Sequence, residues 1–137
     1  PEGAEAYRAN GERYLAELES LDDEIRTIVS QAKRRELVFG GRFAFHYFTA
    51  EYGLTAYSAY DSCSEETEPS AKAVSEVIGR VREDHLPVVA RSIAQETGAK
   101  LLLLHSCHNL SKDELAAGES YLSLMKQNAQ NLREGLN

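Results

Sequence analysis

Lys100-Leu101-Leu102-Leu103-Leu104-His105-Ser106-Cys107-His108-Asn109 is the stretch on which the fold turns. Four leucines follow Gly98-Ala99-Lys100 and give way at once to polar residues. That pattern predicts a short strand buried on both faces of a parallel sheet. Ligands of such sheets gather at the carboxyl ends of the strands. Here that end carries two of the chain's four histidines and one of its two cysteines. Imidazole and thiolate are the side chains zinc takes. The same loop also reads as histidines that merely cap the helix after it.

Working outward, the elements alternate. Residues 4 to about 33 show Tyr7, Tyr14, Leu18, Leu21, Ile25 and Ile28 at three-and-four spacing, predicting one long helix. Such a helix lies across a sheet, pairs with another helix or spans two lobes. Glu36 to Phe39 reads as a strand closed by Gly40-Gly41, without the spacing of a dinucleotide fingerprint. A helix from about Arg42 to Tyr52 follows, burying Phe45, Phe48 and Tyr52 and ending at Gly53. Leu54 to Tyr60 is a second strand, and Asp61 to Glu68 an acidic loop holding Cys63.

Pro69 opens a helix whose apolar face is Ala71, Val74, Ile78 and Val81. Leu86 to Val89 begins a third strand and breaks off against a helix from Ala90 to Thr97, although such connections usually take about two to six residues. After the fourth strand, Ser111 and Glu114 form a capping box. One last helix then carries Leu115, Leu122, Met125, Ala129, Leu132 and Leu136. Strand and helix alternating in this way predict an α/β fold. The expectation is a single lobe, residues 35–137, with a roughly four-stranded parallel sheet flanked by helices and preceded by a long helix at 1–34.

The 137 residues suit one domain, and 42% hydrophobic with 27% charged residues is ordinary for a folded protein. A formal charge of −7 argues against a nucleic-acid or anionic-membrane partner. No run approaches the ~20 apolar residues of a membrane span. The chain opens at Pro1 with no secretory leader, so it reads as a processed chain or a fragment.

His105 is the leading ligand candidate, because a strand would fix its backbone. Cys107 and His108 share its loop. His46, one turn beyond Arg42, faces either the same crevice or solvent, and His85 sits at the opposite end of a strand with no role. Glu65, Glu66 and Glu68 read as acceptors for an imidazole N–H or as a solvated loop. Cys63 and Cys107 read as a possible disulfide or as two free thiols. No G-x-S-x-G, P-loop or H-E-x-x-H appears, and adjacent Cys107-His108 would point apart, so the catalytic case is weak. The rival reading is a free-standing doubly wound domain with thiol-based or small-molecule activity at Cys107 and His108.

The chain resembles the C-terminal lobe of the zinc- and manganese-binding solute-binding proteins of bacterial ABC importers. The resemblance rests on Glu2, Tyr7-Arg8-Ala9-Asn10 and Leu21-Asp22; on Tyr47-Phe48 through Tyr52-Gly53-Leu54; on Glu66-Thr67-Glu68-Pro69-Ser70-Ala71; and on Glu96-Thr97-Gly98-Ala99-Lys100. It implies an extracytoplasmic receptor, periplasmic or a cell-surface lipoprotein, and no enzyme. Two lobes joined by a rigid helix would bury one metal, two ligands coming from each lobe. The implied partners are the metal ion, a missing N-terminal lobe and an ABC permease.

The resemblance places the family's last carboxylate ligand at His105, which favours zinc over manganese. The other C-lobe ligand would fall at Gly40 to Arg42, where nothing serves, and His46 is the substitute. The family also carries roughly a dozen more residues between Val89 and Ala90, the length a parallel crossover demands. Either a natural deletion or a segment absent from this sequence is therefore expected there, and the second is favoured because an abrupt strand-to-helix splice is costly to fold. An adhesive role for the lobe, independent of metal, is a third possibility.

Overall fold

The computed structural model describes residues 2–40, 43–58, 70–89 and 91–137, with the side chains of Arg91 and Ser92 not described. Glu36, Leu37, Val38 and Phe39 form the central strand, β1 (Glu36–Phe39), and β-branched or aromatic neighbours flank it on both sides. β2 (Thr55–Ser58) pairs with it in parallel, Glu36 beside Thr55 and Phe39 beside Ser58. β3 (Val88–Val89) pairs in parallel on the other side, Val38 beside Val88. Among the described residues the sheet is three-stranded, in the order β2-β1-β3.

The alternation along β1 sorts two cores. Leu37 and Phe39 enter the cluster with Leu21, Ile25, Leu102 and Leu132. Val38 enters the cluster with Val77, Val81, Val88 and Ile93 on the opposite face. The first cluster is covered by α1 (Ala4–Gln31) and α6 (Tyr121–Gly135), the second by α3 (Ala71–Asp84) and α4 (Arg91–Thr97). This is the doubly covered parallel sheet that the alternation predicts.

The fourth strand is a correction. Leu101 makes only an isolated parallel bridge to Val88, with Leu102 N–H donating to Val88 O at 2.8 Å. Leu101 and Leu102 do alternate between the two cores, but Leu103 is 60% exposed. The run is therefore a sheet margin that one neighbour pairs, and it is not buried on both faces.

Other bounds shift as well. The helix after β1 is α2 (His46–Glu51), shorter than the Arg42-to-Tyr52 reading, because Thr49 and Phe45 close its first turn. The single last helix is two: α5 (Lys112–Ala116), then α6, parted at Gly118, whose φ of 79° a side chain would resist. The strand read over 54–60 begins at Thr55 and not at Leu54, and residues 59 and 60 lie outside the described set. Ala90 lies outside it too, between β3 and the first residue of α4.

α1 is 28 residues long, about 42 Å at ~1.5 Å per residue. Its buried residues are Leu21, Ile25, Ile28 and Val29, and every residue from Glu2 to Glu17 is exposed. Its C-terminal part is bolted to the lobe. Arg26 donates to Asp22 (2.8 Å) and to Glu51 (2.5 Å), and the Tyr52 hydroxyl donates to Asp22 at 2.7 Å. Across α6, Arg133 meets Glu24 at 2.8 Å and Lys126 meets Glu17 at 3.7 Å. α6 also approaches the sheet margin closely at Gly135, where a Cβ would stand 2.7 Å from Leu102 Cδ1.

Candidate metal centre

A strand paired on one side leaves its outer backbone groups to find partners elsewhere. α6 provides them through two amides one turn apart. Asn128, only 2% exposed, accepts from His105 N–H through Oδ1 (2.7 Å) and donates through Nδ2 to His105 O (2.8 Å). Asn131 Nδ2 donates to Leu103 O at 2.7 Å. These amides stand in for a neighbouring strand and fix the backbone of His105 at the carboxyl end of the sheet. Asn128 was absent from the sequence-based site. Its signal was a polar residue inside the apolar stripe of Met125, Ala129 and Leu132.

The imidazole is held at both nitrogens. Nδ1 accepts from Cys107 N–H at 2.9 Å, and Nε2 lies 3.3 Å from Glu114 Oε1, each side chain about a third exposed. Because Nδ1 accepts, the neutral ring carries its proton on Nε2, facing the carboxylate. Glu114 is immobilised from behind by the capping box that the sequence predicts. Its Oε2 accepts from Ser111 Oγ (2.6 Å) and Ser111 N–H (2.7 Å). Those Ser111 bonds, with the neighbouring His105, hold the carboxyl below its ordinary acidity range, so it is ionised wherever zinc chemistry is relevant. The pair opens on a cavity of about 310 Å³ that Leu104, Leu124 and Gln127 also line.

Cys107 turns back on His105. It adopts a left-handed φ of 59°, and its Sγ lies 3.5 Å from His105 O. The thiol is free and half-buried. Burial and the charge of Glu114 push its pKa up. A reactive thiolate needs the opposite shift, so the surroundings of this thiol lend no support to the thiol-activity reading. His108 is exposed on the same loop. His46 is exposed at the start of α2, edge-on to Phe43 (centroids 6.5 Å) and Tyr47 (5.7 Å). The structure thus brings His105 together with Cys107 and Glu114, while His46 and His108 stand exposed, one at the start of α2 and one on the loop after the strand.

Cys63, Glu65, Glu66, Glu68, Gly41 and Arg42 lie outside the described residues, and with them the Cys63–Cys107 disulfide. His85 ends α3 in a left-handed turn, its carbonyl taken by the Arg34 guanidinium, consistent with a structural position. Among the described residues no three His, Cys, Asp or Glu side chains converge as a metal shell. The described donors amount to a pair.

Ligands of open α/β sheets gather at the carboxyl edge, and there this fold sets the His105 imidazole beside the Glu114 carboxylate. Residues 1–135 match the family described as "Zinc-uptake complex component A periplasmic", and the chain belongs to that family. It is 32% identical over 146 residues to the high-affinity zinc uptake system protein ZnuA of Bacillus subtilis (strain 168), covering 99% of this chain and 45% of that protein. It is also 32% identical over 143 residues to the zinc-binding protein AdcA of Streptococcus pyogenes serotype M18 (strain MGAS8232), covering 97% of this chain and 27% of that protein.

The crystal structure of the metal-dependent lipoprotein YcdH of Bacillus subtilis superposes with a TM-score of 0.78 at 32% identity, covering 99% of this chain and 54% of that one. The chain therefore spans about half the length of its relatives, or less. Both matched spans in the relatives are longer than the chain itself, so these proteins carry residues within the span that have no counterpart here.

Proposed function

We propose that this chain is the C-terminal lobe of an extracytoplasmic solute-binding protein, a receptor and not an enzyme, that captures zinc for an ABC importer. His105 is its principal ligand. The observation that carries this is the fixing of His105 at the sheet's carboxyl edge by the buried Asn128, with its ring on a cavity beside an ionised carboxylate. Membership of the zinc-uptake family supports zinc as the cargo, and manganese is the lesser alternative because an imidazole suits the softer ion.

The remaining ligands come from an N-terminal lobe closing over this edge, and a membrane permease receives the ion. No helix among the described residues is long and apolar enough to cross a membrane. α1 serves as the strut between lobes: its bare half, with Tyr7 77% and Leu15 59% exposed, offers a face for the other lobe.

Ligation has a defined local consequence. Zinc on Nε2 moves the ring proton to Nδ1, where Cys107 N–H cannot stay, and zinc on Nδ1 displaces that amide directly. Either route frees the Cys107 turn. Zinc titration of the lobe, followed by amide NMR, should move the Cys107 resonance, and His105→Ala should abolish both that shift and zinc uptake by the lobe. Unchanged zinc binding in His105→Ala overturns the reading. Capture weakens in acid, because a ligating imidazole must be neutral.

A further inference from the structure

The geometry points to Glu114 as the second zinc ligand of this lobe, bound through Oε1 beside His105 Nε2. This inference rests on the reading of His105 above. It supplies the donor that the stretch after β1 was expected to give and that His46 was to replace.

Three observations carry it. The first is the separation of 3.3 Å between His105 Nε2 and Glu114 Oε1. A charge-assisted N–H···O⁻ contact closes to roughly 2.7–2.9 Å, so this pair is long for a hydrogen bond. Two ligands about 2.05 Å from a tetrahedral zinc stand about 3.3 Å apart, the spacing found here. An octahedral ion of similar bond length would bring neighbouring donors nearer, to about 2.9–3.0 Å.

The second is the division of labour within the carboxylate. Oε2 takes both Ser111 donors and anchors the group at the start of α5, while Oε1 faces His105 alone among the described residues. A monodentate ligand needs one oxygen tethered and one available. The third is pre-organisation: each donor is fixed by groups that metal does not disturb, His105 by Asn128 and Glu114 by Ser111. No reorganisation of either backbone is needed beyond the Cys107 turn.

The competing role for Glu114 is to orient the ring by accepting from Nε2–H while zinc sits on Nδ1. Glu114→Gln separates the two. A capping box accepts Gln at this position, so the α5 cap survives, and the Gln oxygen still accepts from Nε2–H, but an amide is a poor zinc ligand. The parent chain, Glu114→Gln and His105→Ala are titrated with zinc by calorimetry, with circular dichroism verifying the fold. ¹¹³Cd is added to ¹⁵N-labelled parent to identify the bound ring nitrogen by scalar coupling.

The expected result is a loss of at least about tenfold in zinc affinity for Glu114→Gln, approaching that of His105→Ala, with cadmium coupled to Nε2. Coupling to Nδ1, or a Glu114→Gln affinity within about twofold of the parent while His105→Ala fails to bind, overturns the Glu114 assignment and leaves His105 standing. Full binding by His105→Ala overturns the reading of the site as a whole. Should Glu114→Gln lose helix content, Ser111→Ala, which breaks the cap but keeps the carboxylate, measures the structural part alone.

Discussion

Asn128 is buried at 2% exposure and bonds both backbone groups of His105. Asn128→Ala strands a buried N–H and C=O together, and should cost about 2–3 kcal/mol of stability in denaturant melts. Amide exchange at His105 should accelerate in the same variant, since the Asn128 acceptor of its N–H is lost. Asn128→Asp, which keeps the acceptor but not the donor, should fall between. His105 was legible from sequence because an apolar run ends at it. Its support was not, because the partner lies 23 residues away on a helix, and nothing local in an asparagine says which backbone it will meet. Glu114 was half legible: the spacing to Ser111 announced a cap, while its second oxygen's neighbour depends on how the loop 105–110 folds back.

The elements were largely foreseeable where packing and propensity agree. β1 is read correctly to the residue, because Leu37, Val38 and Phe39 are all buried and Gly40 follows directly. The fourth strand was over-read: a run of leucines states hydrophobicity, not how many neighbours the sheet has on that side, and Leu103 is left outside. The break between α5 and α6 was missed because the apolar spacing continues through it, and only Gly118 with the Ser120 and Ser123 cap betrays the restart.

The junction of α1 and α2 rests on Asp22, Arg26, Glu51 and Tyr52. Tyr52 and Arg26 hold the Asp22 carboxyl below its ordinary value, while burial and the Asp22 bond push the Tyr52 hydroxyl up. A depressed carboxylate stabilises the fold above its unfolded pKa and loses that contribution as pH falls through the folded one. Acid melts of the parent should therefore show stability lost at this junction below about pH 4. Tyr52→Phe, which removes a bond worth about 1 kcal/mol, should flatten that part of the profile.

For the molecule as a whole, α1 belongs to two territories. From Leu18 onward it contributes to the core, and from Glu2 to Glu17 every residue is exposed. Deleting residues 1–12 should therefore shift the melting temperature by less than about 3 °C, because no buried surface goes with them. Loss of cooperativity in that variant would contradict the boundary. The order of elements and both sheet faces were legible in the sequence, since alternation of strand and helix admits few arrangements. The described donor set, by contrast, reduces to a pair that depends on tertiary placement.

The two asparagines of α6 have one more effect. By occupying the outward backbone groups of Leu103 and His105, they close the margin of the sheet to a further strand from another molecule. Without them an apolar, extended ribbon would lie open beside a solvent-facing leucine, a template for self-association. The side chains that fix the His105 backbone therefore also cap the margin of the sheet.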